Sequence, residues 1–248
     1  MDAFLSVRHL SKSYSGVQAL QGVDMDVFEG EVLGLVGPNG SGKTTLFNCL
    51  TGFARPNSGN IVWRGDDITS LAPDQIARRG VVRTFQQTMV FPKTTVRENL
   101  EMAWQSRRTD GNHQAFGGCD DIVRFLGLTA VEHTLAADIP FGFARKLGVG
   151  LALAARPRLL LLDEPAAGLN VEETRELGSL IRSIARDLGV TIWVIEHDME
   201  LIMSISQRII VLHAGRKIAE GEPREIADNP DVITVYLGEK FAKSRSAH

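Results

Sequence analysis

The chain has 248 residues, is 44% hydrophobic and carries a formal net charge of -3, enough for one large α/β domain or two small lobes of ordinary globular composition. The acidic balance, with a pI near 6.1, gives no footprint for nucleic acid. No run approaches the roughly 18 apolar residues of a membrane span, and two cysteines, Cys49 and Cys119, supply neither a disulfide framework nor a metal-ligand spacing.

Taken in order, the N-terminal residues MDAFLSVRHL lack a basic start and an apolar signal core, so a cytosolic chain is expected. Phe4–Val7 and Val23–Val27 alternate apolar and polar residues, as half-buried antiparallel strands do, with turn signals at Ser15-Gly16 and Glu29-Gly30 and with Tyr14 on the connecting turn. Val32–Val36 reads as a buried strand and Thr45–Leu50 as the start of a helix.

Between them lies GPNGSGKTT, Gly37 to Thr45, which fits G-x-x-x-x-G-K-[ST]. Strand, glycine loop and helix are the context in which this motif binds phosphate. Gly37, Gly40 and Gly42 let consecutive backbone N–H groups point at one spot at the positive end of a helix dipole, with Pro38, Asn39, Ser41 and Thr45 completing the loop. Lys43 adds a point charge for the β and γ phosphates, and the Thr44 hydroxyl is a magnesium ligand.

A short strand is expected at Asn60–Arg64, a helical turn at Asp74–Arg79 and a strand from Gly80 to Phe85 that ends at Gln86. From Val96 to about Leu135 the pattern is helical: Val96, Leu100, Ala103 and Trp104 share one face, as do Ile122, Phe125, Leu126 and Val131. A loop marked by Thr109–Asn112 and Gly117-Gly118 separates the two, and Arg107-Arg108 reads as solvated. The α/β pattern resumes with strand Leu159–Leu162, helix Val171–Asp187, strands Thr191–Ile195 and Ile209–His213 and a helical tail, frayed at Lys243–His248.

Leu159–Leu162 runs into Asp163-Glu164. In an open parallel sheet, ligands bind at the carboxyl ends of strands. Asp163 is therefore placed for the magnesium shell and Glu164 for orienting and deprotonating an attacking water. His197 closes the next apolar run, so it reaches the same edge near the γ phosphate. Gln86, at another strand end, is a candidate for the magnesium or the water.

The order of Gly37–Thr44, Gln86 after Arg83-Thr-Phe85, Leu160–Pro165, Gly168-Leu-Asn170 and Glu196-His197 resembles the ABC-transporter nucleotide-binding domain over nearly the whole chain. Phe47–Phe53, Gly80–Gln86, Asp163–Asn170 and Asn229–Ile233 before Tyr236–Glu239 are similar to the LivG type, which serves importers of branched-chain amino acids, urea or short amides. The resemblance implies a P-loop NTPase of α/β class: a RecA-like core with an antiparallel β subsheet (1–87 with 158–248) and an inserted helical subdomain (88–157). It implies an ATPase using ATP and magnesium, peripheral on the inner face of the membrane. The implied partners are membrane permease subunits, a second ATPase subunit arranged head-to-tail and, indirectly, an extracytoplasmic solute-binding protein. An ATPase of a lipopolysaccharide-type exporter and a non-transport ABC ATPase are the alternatives.

By the same resemblance, Tyr14 stacks on adenine, Gln86 couples nucleotide to the membrane subunits, His197 is the switch histidine and Gly142 meets the partner's ATP in trans. The signature motif departs from the pattern: where many relatives read Leu-Ser-Gly-Gly-Gln, this chain reads Ile139-Pro-Phe-Gly-Phe143. Pro140 has neither the hydroxyl nor the N–H that a serine would offer, although proline suits a helix's first turn; an asymmetric pair, and a signature of this type that tolerates the proline without loss, are the two expectations. Gly148 and Gly150 are expected to weaken the helix that follows. Asn170 stands where aspartate is usual, and the apolar stretch Thr88–Pro92 matches the groove that receives a coupling helix.

Overall fold

A computed structural model describes residues 3–85, 89–106 and 116–236. β1 (Leu5–Tyr14) and β2 (Val17–Val27) form an antiparallel hairpin. Both are longer than their alternating cores suggest, and Tyr14 is the last strand residue rather than part of the turn. β3 (Val32–Val36) follows, then α1 (Lys43–Leu50), β4 (Ser58–Trp63), the two-residue β5 (Asp66–Asp67), α2 (Pro73–Arg78) and β6 (Val81–Arg83). β6 stops short of the expected end, and Gln86 lies outside the described residues.

Helices dominate the next stretch: α3 (Val96–Ser106), α4 (Cys119–Phe125), a 3-10 turn (Thr129–Val131) and α5 (Phe141–Ala154). The expected face from Ile122 to Val131 is not one helix, because Gly127 takes a positive φ of 65° and ends α4. β7 (Leu159–Asp163), α6 (Val171–Leu188) and β8 (Thr191–Ile195) match expectation closely. α7 (Met199–Ile205), β9 (Arg208–His213), β10 (Arg216–Gly221) and α8 (Pro223–Ala227) follow, and residues 230–236 are helical. The expected strand is β9, and the tail expected as helix thus begins with a further strand, β10, paired antiparallel with it.

Two sheets organise these elements, one ordered β2-β1-β4-β5 and one ordered β10-β9-β3-β8-β7-β6. In the larger sheet β9, β3, β8, β7 and β6 are all parallel, so their carboxyl ends share one edge. Each strand alternates between two cores. Val32, Val36, Leu160, Leu162, Ile192 and Val194 pack with α3–α7 on one face. Leu33, Leu35, Leu159, Leu161, Trp193 and Ile195 pack on the other with α1 and the smaller sheet. Strands buried on both faces read as unbroken apolar runs, which is why their boundaries were legible.

Gly150 corrects an expectation. A Cβ there would lie 2.6 Å from Leu126 Cδ1 and 3.0 Å from Leu100 Cδ2. The missing side chain lets α5 approach α3 and α4, so this glycine serves packing rather than merely weakening the helix.

Candidate active site

Strand register brings the candidate residues together. Leu35 on β3 and Asp163 on β7 both pair with Ile195 on β8, which runs between those strands. The segments that follow therefore leave the sheet side by side: the glycine loop after β3, Glu164 after β7, and Glu196-His197 after β8. The Glu164 N–H donates to Ile195 O at 2.9 Å, and Glu164 holds a left-handed φ of 46°. That backbone is strained for a side-chain-bearing residue and turns the chain sharply off the sheet.

The glycine loop is built as the motif requires. Gly37 has φ 149°, and a Cβ there would lie 2.0 Å from Leu212 O. At Gly42, φ 107°, a Cβ would lie 2.4 Å from Ala19 O. Only glycine allows either approach. Lys43 is buried, and its Nζ donates to Gly37 O (2.7 Å) and Pro38 O (2.9 Å), so the ammonium lies inside the loop. Asn39, Gly40 and Thr44 are exposed, Ser41 is buried, and Gly42 and Thr45 are half-buried. The Ser41 hydroxyl has no hydrogen-bond partner among the described residues. A buried cation, an orphaned hydroxyl and a Cβ-free cradle at a helix start fit a polyphosphate.

Asp163 is buried and paired with Arg83, which sequence reasoning did not single out. Arg83 Nη1 also donates to Asn48 Oδ1 on α1 at 2.7 Å, and the guanidinium lies over the rings of Phe47 and Phe85. The position of Arg83, three residues before Gln86 at a strand's carboxyl end, was the available signal.

Glu196 was also passed over. It is fully buried; its Oε1 accepts from the Ala166 N–H at 2.7 Å and its Oε2 from the His197 N–H at 3.2 Å. Burial pushes its carboxyl above the usual range, with these N–H donors opposing. The His197 side chain is exposed at the same edge, its Nδ1 3.7 Å from Glu196 Oε2.

Two candidates come from elements other than these strand ends. Tyr14 is exposed at the end of β1, with Lys12 Nζ over its ring at 4.9 Å. Gly142 lies in the first turn of α5, where Pro140 is the residue before the helix, one position earlier than expected, and makes no side-chain cap. A Cβ on Gly142 would meet Glu173 Oε1 at 2.8 Å.

A family model described as "ABC transporter" matches residues 20–167, more than half of the chain. The chain belongs to the ABC transporter family. A second model, "Branched-chain amino acid ATP-binding cassette transporter", matches residues 216–242. The chain is 42% identical over 250 residues to the high-affinity branched-chain amino acid transport ATP-binding protein BraF of Pseudomonas aeruginosa, covering 95% of this chain and 98% of the relative. It is 40% identical over 249 residues to LivG of Escherichia coli, with the same coverage. Similarity to the lipopolysaccharide export ATP-binding protein LptB of Haemophilus influenzae is lower, at 31% over 239 residues, 96% of this chain and 99% of that one. Among solved structures, the ADP conformation of MJ1267, an ATP-binding cassette of an ABC transporter, superposes with a TM-score of 0.84 at 28% identity, covering 96% of this chain and all of that one. The fold is the P-loop ABC ATPase cassette, and the chain is an ATPase that binds ATP. Among the described residues, no helix of this cassette is long and apolar enough to cross a membrane.

Proposed function

We propose that this cassette hydrolyses ATP to drive an importer of branched-chain amino acids or a related small polar solute through separate membrane permease subunits. The solute class rests on the BraF and LivG relatives and on the match at residues 216–242. The catalytic reading rests on one observation: Leu35, Ile195 and Asp163 stand level across three parallel strands, so the glycine loop, Glu164 and His197 meet at one edge.

In this reading the loop N–H groups from Gly37 to Thr45, with Lys43, hold the β and γ phosphates, and Tyr14 carries the adenine. Thr44 and Asp163 offer the hard oxygen donors that suit magnesium, with Gln86 as a further ligand outside the described residues. The metal, when bound, neutralises phosphate charge. Glu164 orients the water and takes its proton, and His197 stabilises charge developing on the γ phosphate.

The cassette works in a head-to-tail pair, Gly142 of one subunit facing the ATP of the other, and sits against the inner face of the membrane with an extracytoplasmic binding protein delivering solute. Residues 1–87 with 158–248 form the nucleotide-binding lobe and 88–157 the helical lobe. At their junction Met89 and Phe91 are 79% and 62% exposed, and Phe53 meets Phe85 edge-on at 5.5 Å. Such an apolar surface suits a docking helix from a permease subunit.

The test is magnesium-dependent ATP hydrolysis by the purified chain, alone and with co-purifying membrane subunits, beside Glu164→Gln. Turnover lost in that variant with nucleotide binding retained is the expected result. Turnover that survives the substitution sinks the role given to Glu164, and co-purification with lipopolysaccharide-export subunits sinks the importer reading.

A further inference from the structure

The loop between Glu164 and α6 is gripped from two sides at adjacent residues. Glu196, at the end of β8, accepts the Ala166 N–H at 2.7 Å. Arg145, on α5, donates from Nη2 to the Ala167 carbonyl at 2.8 Å. One grip is a fully buried carboxylate and the other a part-buried guanidinium. The two charges sense each other across the loop: burial lowers the Arg145 pKa while the Glu196 charge opposes that shift.

The contact continues on both sides. Phe141, in the first turn of α5, packs over Gly168, where a Cβ would lie 3.0 Å from Phe141 Cε1. Arg145 in turn lies over the Phe141 ring at 4.9 Å. On the other side Glu196 also accepts the His197 N–H. A continuous set of contacts thus runs from the start of α5, through the Ala166-Ala167 peptides, to His197.

We propose that Arg145 and Glu196 are positioning residues that clamp the loop after Glu164, coupling the first turn of α5 to Glu164 and His197 within one subunit. This rests on the head-to-tail reading above, in which α5 serves the partner's ATP while Glu164 and His197 serve this chain's own. The clamp is then a path by which occupancy of one ATP site alters the other. It is a two-sided device: a side chain without an acceptor oxygen at 196, or without an N–H donor at 145, leaves the loop held from one side only.

Two measurements on the full chain test it. In hydrogen exchange, Glu196→Leu, which has no acceptor oxygen, should raise exchange in residues 166–168 and also in the first turn of α5, and Arg145→Met should raise it in residues 166–168 and also at 197–198. Deprotection confined to each variant's own element overturns the clamp, whether or not the chain hydrolyses ATP. In the assembly where wild type turns over, each variant should lower kcat roughly tenfold, with nucleotide affinity and KM little changed. The double variant should be no worse than the weaker single, as for residues acting as a unit. Arg145→Lys, which can still donate to Ala167 O, should recover most of the loss. Unchanged kcat, or losses that multiply, overturn the coupling. Absence of wild-type hydrolysis counts against the ATPase reading instead, and the exchange result still decides the clamp. Should Glu196→Leu fail to fold, Arg145→Met and Arg145→Lys carry both measurements.

Discussion

Arg83 Nη2 donates to Asp163 Oδ2 at 2.5 Å, and the two side chains are only 5% and 9% exposed. The pair joins the ends of β6 and β7, which run parallel and in register from Val81 opposite Leu159 to Arg83 opposite Leu161. A buried carboxylate at this position needs a cation, and among the described residues Arg83 is its ion-pair partner. Through Asn48 it also fastens α1, the helix that begins at Lys43.

Arg83→Met should therefore strand the Asp163 charge and destabilise the protein by about 3–5 kcal/mol. Adding Asp163→Asn should return much of that loss, since replacing both partners costs less than orphaning one. Urea denaturation of the two variants and the wild type checks this. Equal stability of single and double variants would show that the pair is not what Arg83 contributes.

Gly150→Ala separates two physical effects of opposite sign. Helix propensity alone predicts a gain of about 1 kcal/mol. The close approach of Leu126 and Leu100 to the site of the new methyl predicts overpacking, typically about 1–3 kcal/mol. Packing should win, giving a net loss on the order of 1 kcal/mol in thermal or urea denaturation. A stabilised variant would mean that the α3–α4–α5 contact relaxes freely.

The contrast at Gly150 marks what a sequence can reveal. The strands Val32–Val36 and Thr191–Ile195 and the glycine loop were legible because burial on both faces and phosphate geometry each impose a pattern on adjacent residues. Asp163, Glu164 and His197 followed from the rule that strand ends bear ligands. Arg83, Glu196 and Arg145 were not singled out: each bonds a partner 20 or more positions away, Asp163, Ala166 and Ala167 respectively, and beyond the place of Arg83 near a strand end no local period encodes such a pairing. β10 was missed because none of its residues Arg216–Gly221 is fully buried and Arg216, Lys217 and Glu220 are exposed at the sheet edge, leaving no clear apolar alternation. Gln86 was expected at the site and lies outside the described residues.

Glu196 gives a pH dependence with a definite sign. Burial raises its native carboxyl above the ordinary value near 4.5, against opposing N–H donors from Ala166, His197 and Asp198. The native state then binds more protons than the unfolded chain between those two values, so stability from this group falls as pH rises through the native value. The advantage of wild type over Glu196→Gln should be greatest below pH 4.5 and decline above it. Denaturation of both proteins across that range measures the difference, in which the other titrating groups largely cancel. A gap that widens with rising pH would mean that the N–H donors outweigh burial.

Pro140 offers the last test, because helix capping and phosphate contact make separable claims there. The residue precedes α5 with φ -57° and ψ 151° and supplies no cap. A serine can adopt that backbone and accept from an N–H of the first turn, so Pro140→Ser should stabilise the fold by about 1 kcal/mol. In the head-to-tail reading the same hydroxyl would also reach the partner's γ phosphate, a contact to a charged group worth on the order of 1.5–3 kcal/mol. If that contact is realised in the transition state, turnover of a mixed pair should rise roughly tenfold or more. The neighbouring carboxylate acts in the other direction: Glu173 packs against Gly142 and opposes an approaching phosphate by like charge. Glu173→Gln should therefore add to the gain from Pro140→Ser. Greater thermal stability with unchanged turnover would assign Pro140 to the helix alone and remove the asymmetry between the two ATP sites.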